Sequence, residues 1–232
     1  MLELFPEGFE ERETADGLEL AAYTDSAGEE RLWAAFGTVQ AHDVAVGWDE
    51  RWRAFHRPVL IGTLWVGPPW EEPPDGVSVV VIDPGRAFGT GGHATTRLCL
   101  ELLLELEPTS LLDVGCGSGV LAVTAARLGF SPVSAIDAEE AALEATRRNA
   151  EANGVNVNVR LGDALTEPLA AAEVVTANIS VDAVQQVAPR LDCRLLIGSG
   201  YAESERPALP GFRAVERRAV DGWAADLFRR EE

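Results

Sequence analysis

Apolar and polar positions fall in short blocks along the chain, and the blocks read alternately as strands and helices. Leu111 to Val114 reads as a short buried strand, Gly115 to Gly119 as a turn, and Val120 to Leu128 as a helix with small residues on one face. "PVSAID" (132–137) predicts a second strand, and the helix "AEEAALEATRRNAEANG" runs from there to Asn153-Gly154, a C-terminal stop signal. "VNVRLGDAL" (157–165) and "EVVTANIS" (173–180) predict a third and a fourth strand, the latter feeding the helix "VDAVQQVAPRL". "RLLIGSG" (194–200) is a fifth, and the Pro-broken stretch from Tyr201 to Gly211 leaves room for little helix. "FRAVERRAV" and "WAADLFRR" predict two last strands joined at Asp221-Gly222, a hairpin signal. Strand and helix alternate over roughly 120 residues, which predicts an α/β protein with a doubly wound sheet and an antiparallel end.

Upstream the pattern is weaker. "GLELAAYTDS" and "RLWAAFGTV" predict two strands around a "SAGEE" turn, with Leu2 to Phe9 as the tail of a helix. Residues 48–75, rich in Trp and Pro, predict a semi-rigid linker. The expected organisation is a small α/β N-terminal domain at 1–47, the linker at 48–75 and the large domain at 76–232.

Composition narrows the chemistry. With 47% hydrophobic residues in 232, the chain can bury an ordinary core. No apolar run approaches the roughly 18 to 20 residues that span a bilayer, and "MLELFPEGFEERE" lacks the basic and apolar regions of a secretory signal, so a cytoplasmic protein without membrane contact is expected. Nineteen basic residues stand against 38 acidic ones, a formal net charge of −19. Such a surface repels phosphate backbones and favours a basic protein or a small neutral ligand, so nucleic acid is not expected as a direct partner; the alternative is that the acid only maintains solubility. Cys99, Cys116, Cys193, His42, His56 and His93 lie far apart, with no CxxC and no helical His pair, which argues against a metal site or a disulfide framework. Cys116, inside the glycine turn, reads as packing. Oligomeric state is left open.

The glycine turn carries the clearest chemical signal. Glycines let the backbone approach a ligand, and the N–H groups at the following helix start attract polar or anionic groups. From Gly115 the sixth position is Val120, so the dinucleotide pattern G-x-G-x-x-G fails, and no Gly-Lys-Ser/Thr follows to make a P-loop. What stands is D-x-G-x-G-x-G, from Asp113 through Gly115, Gly117 and Gly119. Asp137, ending the second strand, can accept both hydroxyls of a ribose or can cap the next helix, with Glu140 at the capping-box interval. Asn178, ending the fourth, stands where open α/β sheets bind ligands and can accept from a substrate amine or cap the next helix. Before the first strand of the sheet comes "DPGRAFGTGGHATT" (83–96), more elaborate than a turn requires.

The D-x-G-x-G-x-G run resembles the first motif of class I S-adenosylmethionine-dependent methyltransferases. Together with "FGTGGHATT", the Asp after the second strand and "ANIS" after the fourth, it resembles the bacterial PrmA family, the methyltransferases of ribosomal protein L11. The family's F-G-T-G-x-H-x-T-T is met by Phe88, Gly89, Thr90, Gly91, His93, Thr95 and Thr96. The resemblance extends back through "WVGPPW" and "WDERWRAFHRPVLIG", from about Trp48 to the C-terminus. It implies a Rossmann-like sheet of seven strands with the last antiparallel, and a small N-terminal substrate-recognition domain that is truncated here, its first strand and most of its first helix absent.

For the site, the resemblance implies S-adenosylmethionine as cofactor, S-adenosylhomocysteine as product and no metal. Asp113, Gly115, Gly117, Gly119, Asp137 and Thr96 are expected at the cofactor, with Phe88, Thr90 and Gly91 from the upstream loop. Asp163 falls where methyltransferases recognise the adenine amino group, the alternative being a turn aspartate. Asn178 is expected where methyl donor and acceptor meet, and His93 beside Phe88 at the mouth as the second catalytic candidate. A structural account of the loop makes Thr95 and Thr96 helix caps and Phe88 a core anchor. The implied function is N-methylation of a lysine side chain or N-terminal amine of ribosomal protein L11, a basic partner. Methylation of another protein or a small amine, or cofactor binding without catalysis, are the alternatives.

Overall fold

The computed structural model describes residues 10–14, 17–21, 32, 35–36, 57–83 and 92–231. The chain divides into two compact units, Met1–Glu50 and Arg51–Glu232. In the first, β1 (Glu10–Thr14) and β2 (Gly17–Ala21) pair antiparallel from Glu10↔Ala21 to Thr14↔Gly17. The β1 sequence EERET has no apolar alternation, which is why no strand was expected there. The strand expected over "RLWAAFGTV" is overturned: Leu32, Ala35 and Phe36 are helical. Leu32 is buried while Phe36 is exposed, and Leu and Ala are strong helix formers. The helix tail expected at Leu2 to Phe9 lies outside the described residues.

In the second unit, β3 (Val59–Ile61) and β4 (Leu64–Gly67) form an antiparallel hairpin, and β5 (Ser78–Val81) runs parallel to β4. Part of the stretch read as linker is therefore sheet. Apolar and β-branched residues flank Gly62-Thr63, and Gly62 takes φ +58 at the two-residue turn.

The main sheet has the order β11-β12-β10-β9-β6-β7-β8, with β6 (Leu111–Val114), β7 (Val133–Asp137), β8 (Asn158–Leu161), β9 (Val174–Asn178), β10 (Leu195–Ala202), β11 (Phe212–Val220) and β12 (Trp223–Arg230). The five from β10 to β8 are parallel, and β12 is antiparallel to both β10 and β11. This is the expected seven-stranded α/β sheet with an antiparallel end. Its helices are α1 (Ala94–Leu103), α2 (Val120–Arg127), α3 (Glu140–Ala152) and α4 (Val181–Val187), the last continued by a 3-10 turn at Ala188–Arg190 that contains Pro189.

Both faces of the sheet are covered, so alternate residues of one strand enter different cores. Leu111, Val174, Leu195 and Ile197 pack with α1, α2 and the β3–β5 sheet. Leu112, Val114, Val175, Ala177 and Leu196 pack with Val184 and Val187 of α4. The period of two then assigns Asp113, Thr176 and Asn178 to the first face, the side of α1 and α2. Among the described residues no helix is long and apolar enough to cross a membrane.

Candidate active site

The carboxyl ends of β6, β7 and β9 meet at the turn from Gly115 to Gly119. Gly115, Gly117 and Gly119 take φ +70, +53 and +79, a region closed to most side chains. Their neighbours differ. A Cβ on Gly119 would meet Thr146 Cγ2 at 2.7 Å, so this glycine lets α2 start against α3. A Cβ on Gly115 would meet Ile179 Cγ2 at 2.5 Å, so this one lets the turn lie against the residue after β9. Gly115 is exposed and Gly117 half-buried, which leaves backbone facing outward where a ligand can reach it.

Asp137 turns back toward this loop. Its Oδ2 accepts from Gly117 N–H at 2.9 Å and its Oδ1 from Glu139 N–H at 3.1 Å. The N-cap of α3 is Glu139, so Asp137 does not cap that helix. A carboxylate has about four acceptor sites, and two remain for a diol.

Asp113 is buried to 1% exposure and faces inward: Oδ2 accepts from Ala122 N–H at 3.2 Å and Oδ1 from the Thr176 hydroxyl at 2.6 Å. Desolvation pushes its carboxyl up to about 6, against the lowering effect of those two bonds. It stands behind the glycine turn and ties α2 to β9, with no surface for a ligand. Cys116 is buried beside it, its thiol pushed up to about 12 by burial, which makes it inert.

Asn178 closes β9. Its Nδ2 donates to Thr96 Oγ1 at 3.3 Å, and α4 is capped by Ser180, whose hydroxyl accepts from Ala183 N–H. The cap alternative for Asn178 is thereby removed. Thr96 has no exposed surface, so it supports Asn178 from behind, within the first turn of α1. The cap of α1 is His93, and neither Thr95 nor Thr96 fills that role. His93 Nδ1 accepts from Thr95 N–H at 3.4 Å and lies 2.7 Å from Thr95 Oγ1. The Nδ1 edge of the ring is thus engaged by Thr95 at the helix start.

Asp163 makes a tight turn, accepting from Leu165 N–H at 2.8 Å and from the Thr166 hydroxyl at 3.0 Å. The turn alternative accounts for these bonds, and the residue remains half-buried. Phe88, Thr90 and Gly91 lie outside the described residues.

Two groups escaped sequence reading. Trp223, 36% exposed at the start of β12, meets His93 edge to face with ring centroids 4.9 Å apart. A Trp opening a strand after a hairpin gives no signal of that neighbour. Asn149 and Asn153 of α3 were read only as helix and stop. Asn153 pairs with the backbone of Val81, Oδ1 accepting from its N–H at 2.9 Å and Nδ2 donating to its carbonyl at 2.6 Å. Asn149 repeats this with Asp83 at 2.9 and 3.0 Å and also donates to Ser118 O at 2.8 Å. One buried amide thus joins the glycine turn to the start of the 83–96 segment. A cavity of about 660 Å³ opens at the other end of the sheet, beside Ser110, Glu173 and Arg194; Arg194 and Glu173 pair there at 3.2 Å.

The profile of the family "Ribosomal protein L11 methyltransferase (PrmA)" matches residues 9–203. The chain belongs to this family. The match begins well ahead of Trp48, so the PrmA likeness covers β1 and β2 as well, and it stops before β11. The ribosomal protein L11 methyltransferase of Symbiobacterium thermophilum is 39% identical over 209 residues, 86% of this chain and 66% of that protein. The namesake from Pelobacter propionicus is 39% identical over 215 residues, 83% and 68% of the two chains. This chain thus spans about two thirds of the length of these PrmA relatives. The crystal structure of a ribosomal protein L11 methylase from Lactobacillus delbrueckii subsp. bulgaricus superposes with a TM-score of 0.68 at 24% identity, over 76% of this chain and all of that one. That likeness establishes the class I methyltransferase fold of the sheet.

Proposed function

We propose that the protein is an S-adenosylmethionine-dependent N-methyltransferase acting on amino groups of ribosomal protein L11, a lysine side chain or the N-terminal amine. What supports it most is one juxtaposition: Asn178, fixed on Thr96, leads into Ile179, which lies against Gly115 of the glycine turn. An acceptor-facing amide and a nucleotide-type loop then share one mouth.

The residues present fit that cofactor. Exposed backbone at Gly115 and N–H groups at the start of α2 suit a polar amino-acid moiety, and Asp137 keeps acceptor sites for ribose hydroxyls. Asp163 stays a candidate for the adenine amine, and Phe88, Thr90 and Gly91 for the lip of the site. Asp113 and Thr96 hold the loop and Asn178 in place without touching the ligand.

When bound, S-adenosylmethionine supplies a methyl group already activated on a sulfonium, so the chain has orientation, water exclusion and proton handling to perform. A lysine ammonium, with its usual pKa of about 10.4, has no lone pair to attack with. Asn178 Nδ2 is turned to Thr96, so Oδ1 accepts an N–H of the unprotonated amine and aims its lone pair. Desolvation at this half-buried position favours the neutral amine, which sheds its proton to solvent before it enters. His93, with Nδ1 engaged at the start of α1, acts as an orienting group at the mouth, not as the base. Trp223 beside it gives the acceptor's aliphatic stem an apolar wall.

A net charge of −19 draws a basic ribosomal protein toward the enzyme, and the cytoplasm is the compartment such a substrate implies. Calorimetric titration with S-adenosylmethionine and S-adenosylhomocysteine, then mass spectrometry of ribosomal protein L11 after incubation, tests the reading. Binding with added multiples of a methyl mass on amino groups is expected. Binding without modification would reassign the substrate, and no binding would overturn the cofactor.

A further inference from the structure

We propose that Gly200 is a positioning residue for methyl transfer: the bulge it makes in β10 seats the peptide of Ile179 and so sets where Asn178 presents its amide. This rests on the reading of Asn178 as the group that faces the acceptor. Four observations converge on it.

Gly200 takes φ +96, and a Cβ there would fall onto the Ile179 carbonyl oxygen, 2.6 Å from its carbon and 2.9 Å from the Ile179 nitrogen. The Ile179 peptide occupies the space that any side chain would need. From the same side, Ile179 N–H donates to Ser199 O at 3.0 Å, prolonging the Ser199↔Asn178 parallel pairing by one residue. From the other side, Gly115 makes room for the Ile179 side chain, so this residue is held between the β10 bulge and the cofactor loop. The bulge is itself braced. The β10–β12 register shifts between Ser199 and Tyr201, the Ser199 hydroxyl donates to Ala224 O at 2.7 Å, and Tyr201 Oη lies 2.8 Å from both Gly198 O and Asp226 Oδ2.

A regular strand would carry the pairing past Asn178 with a side chain pointing into Ile179. One extra residue without a Cβ re-aims the strand and brings backbone onto backbone, as bulges beside active sites do. β10 and its antiparallel neighbour β12, which hold no part of the glycine motif, thereby fix the acceptor side of the reaction. Gly211, just ahead of β11, is the control: it takes φ +79, and a Cβ there would meet nothing within 4 Å.

The test compares Gly200→Ala and Gly211→Ala in the full chain by three readouts: the Asn178 side-chain amide resonances, S-adenosylhomocysteine affinity, and kcat on ribosomal protein L11. In Gly200→Ala the Asn178 amide signals should move and kcat fall roughly 100-fold, the loss a displacement near 1 Å produces, while cofactor affinity changes less than about threefold. Gly211→Ala, strained in its backbone alone, should lower thermal stability and leave the Asn178 signals where they are. If Gly200→Ala does not fold, Tyr201→Phe, which removes the brace without adding an atom, should move the same signals. Unmoved Asn178 signals in the folded variant overturn the proposal. Moved signals in a chain that transfers no methyl group support the positioning role while contradicting the assigned reaction, so the two failures are distinct.

Discussion

Asn178 and Thr96 are 82 positions apart in sequence and are joined by a hydrogen bond of 3.3 Å from the Asn178 amide to the Thr96 hydroxyl. The bond binds the end of β9 to the first turn of α1 and leaves the amide oxygen on the side away from Thr96. It joins Thr96, from the last part of the 83–96 motif, to the carboxyl end of the sheet.

Asp137→Ala should weaken S-adenosylhomocysteine binding by about 10- to 100-fold, the worth of one or two hydrogen bonds to a charged group. Because Asp137 also accepts from Gly117 N–H, the turn should loosen and the amide of Gly117 exchange faster. Titration calorimetry and hydrogen exchange on the same variant check this. Unchanged affinity would remove Asp137 from the site.

Asn149→Ala breaks one buried amide's bonds to Asp83 N–H, Asp83 O and Ser118 O. With those buried groups left unpaired, stability should drop by about 2 to 4 kcal/mol, read as the midpoint shift in denaturant. A drop below about 0.5 kcal/mol would show that the bonds are not formed in solution.

Asp113 should leave a mark on stability as a function of pH. Its folded carboxyl is raised from 3.8 to about 6, so between those values the unfolded chain has lost the proton that the folded chain keeps. The unfolded state then binds fewer protons, and stability falls as pH rises through that window and levels off above it. Asp113→Asn should flatten the slope by up to about 1.4 kcal/mol per pH unit relative to the parent chain. An unchanged slope in denaturant melts between pH 4 and 6 would contradict the assignment.

His93→Asn preserves a capping side chain at the start of α1, because Asn is among the preferred N-caps. The thermal midpoint should hold, turnover should fall less than about tenfold, and the acid limb of the kcat/KM profile should stay in place, because an orienting group and not a base has been lost. Loss of that limb would make His93 the base after all.

Local patterns made much of this fold legible. Four strand residues running into three spaced glycines define β6, its turn and α2, and Asn178 could be placed because a buried parallel strand must end where the sheet binds ligands. What escaped reading depends on partners far away in sequence. The Asn149 and Asn153 amides bond Asp83 and Val81 across 66 and 72 positions, and in sequence they are only polar residues on a helix. Trp223 as the neighbour of His93 follows from tertiary contact alone. β1 is built from EERET, in which pairing with β2 outweighs a composition that no strand pattern would select.

The account stands or falls on transfer of a labelled methyl group from S-adenosylmethionine to ribosomal protein L11 by the parent chain and by Asn178→Ala, both at saturating cofactor. The parent should place label on amino groups, and Asn178→Ala should bind S-adenosylhomocysteine within about threefold of the parent while transferring roughly 100- to 1,000-fold more slowly. Equal rates in the two proteins would contradict Asn178 as the group that presents the acceptor. Label on ribosomal protein L11 from neither would contradict the assigned reaction.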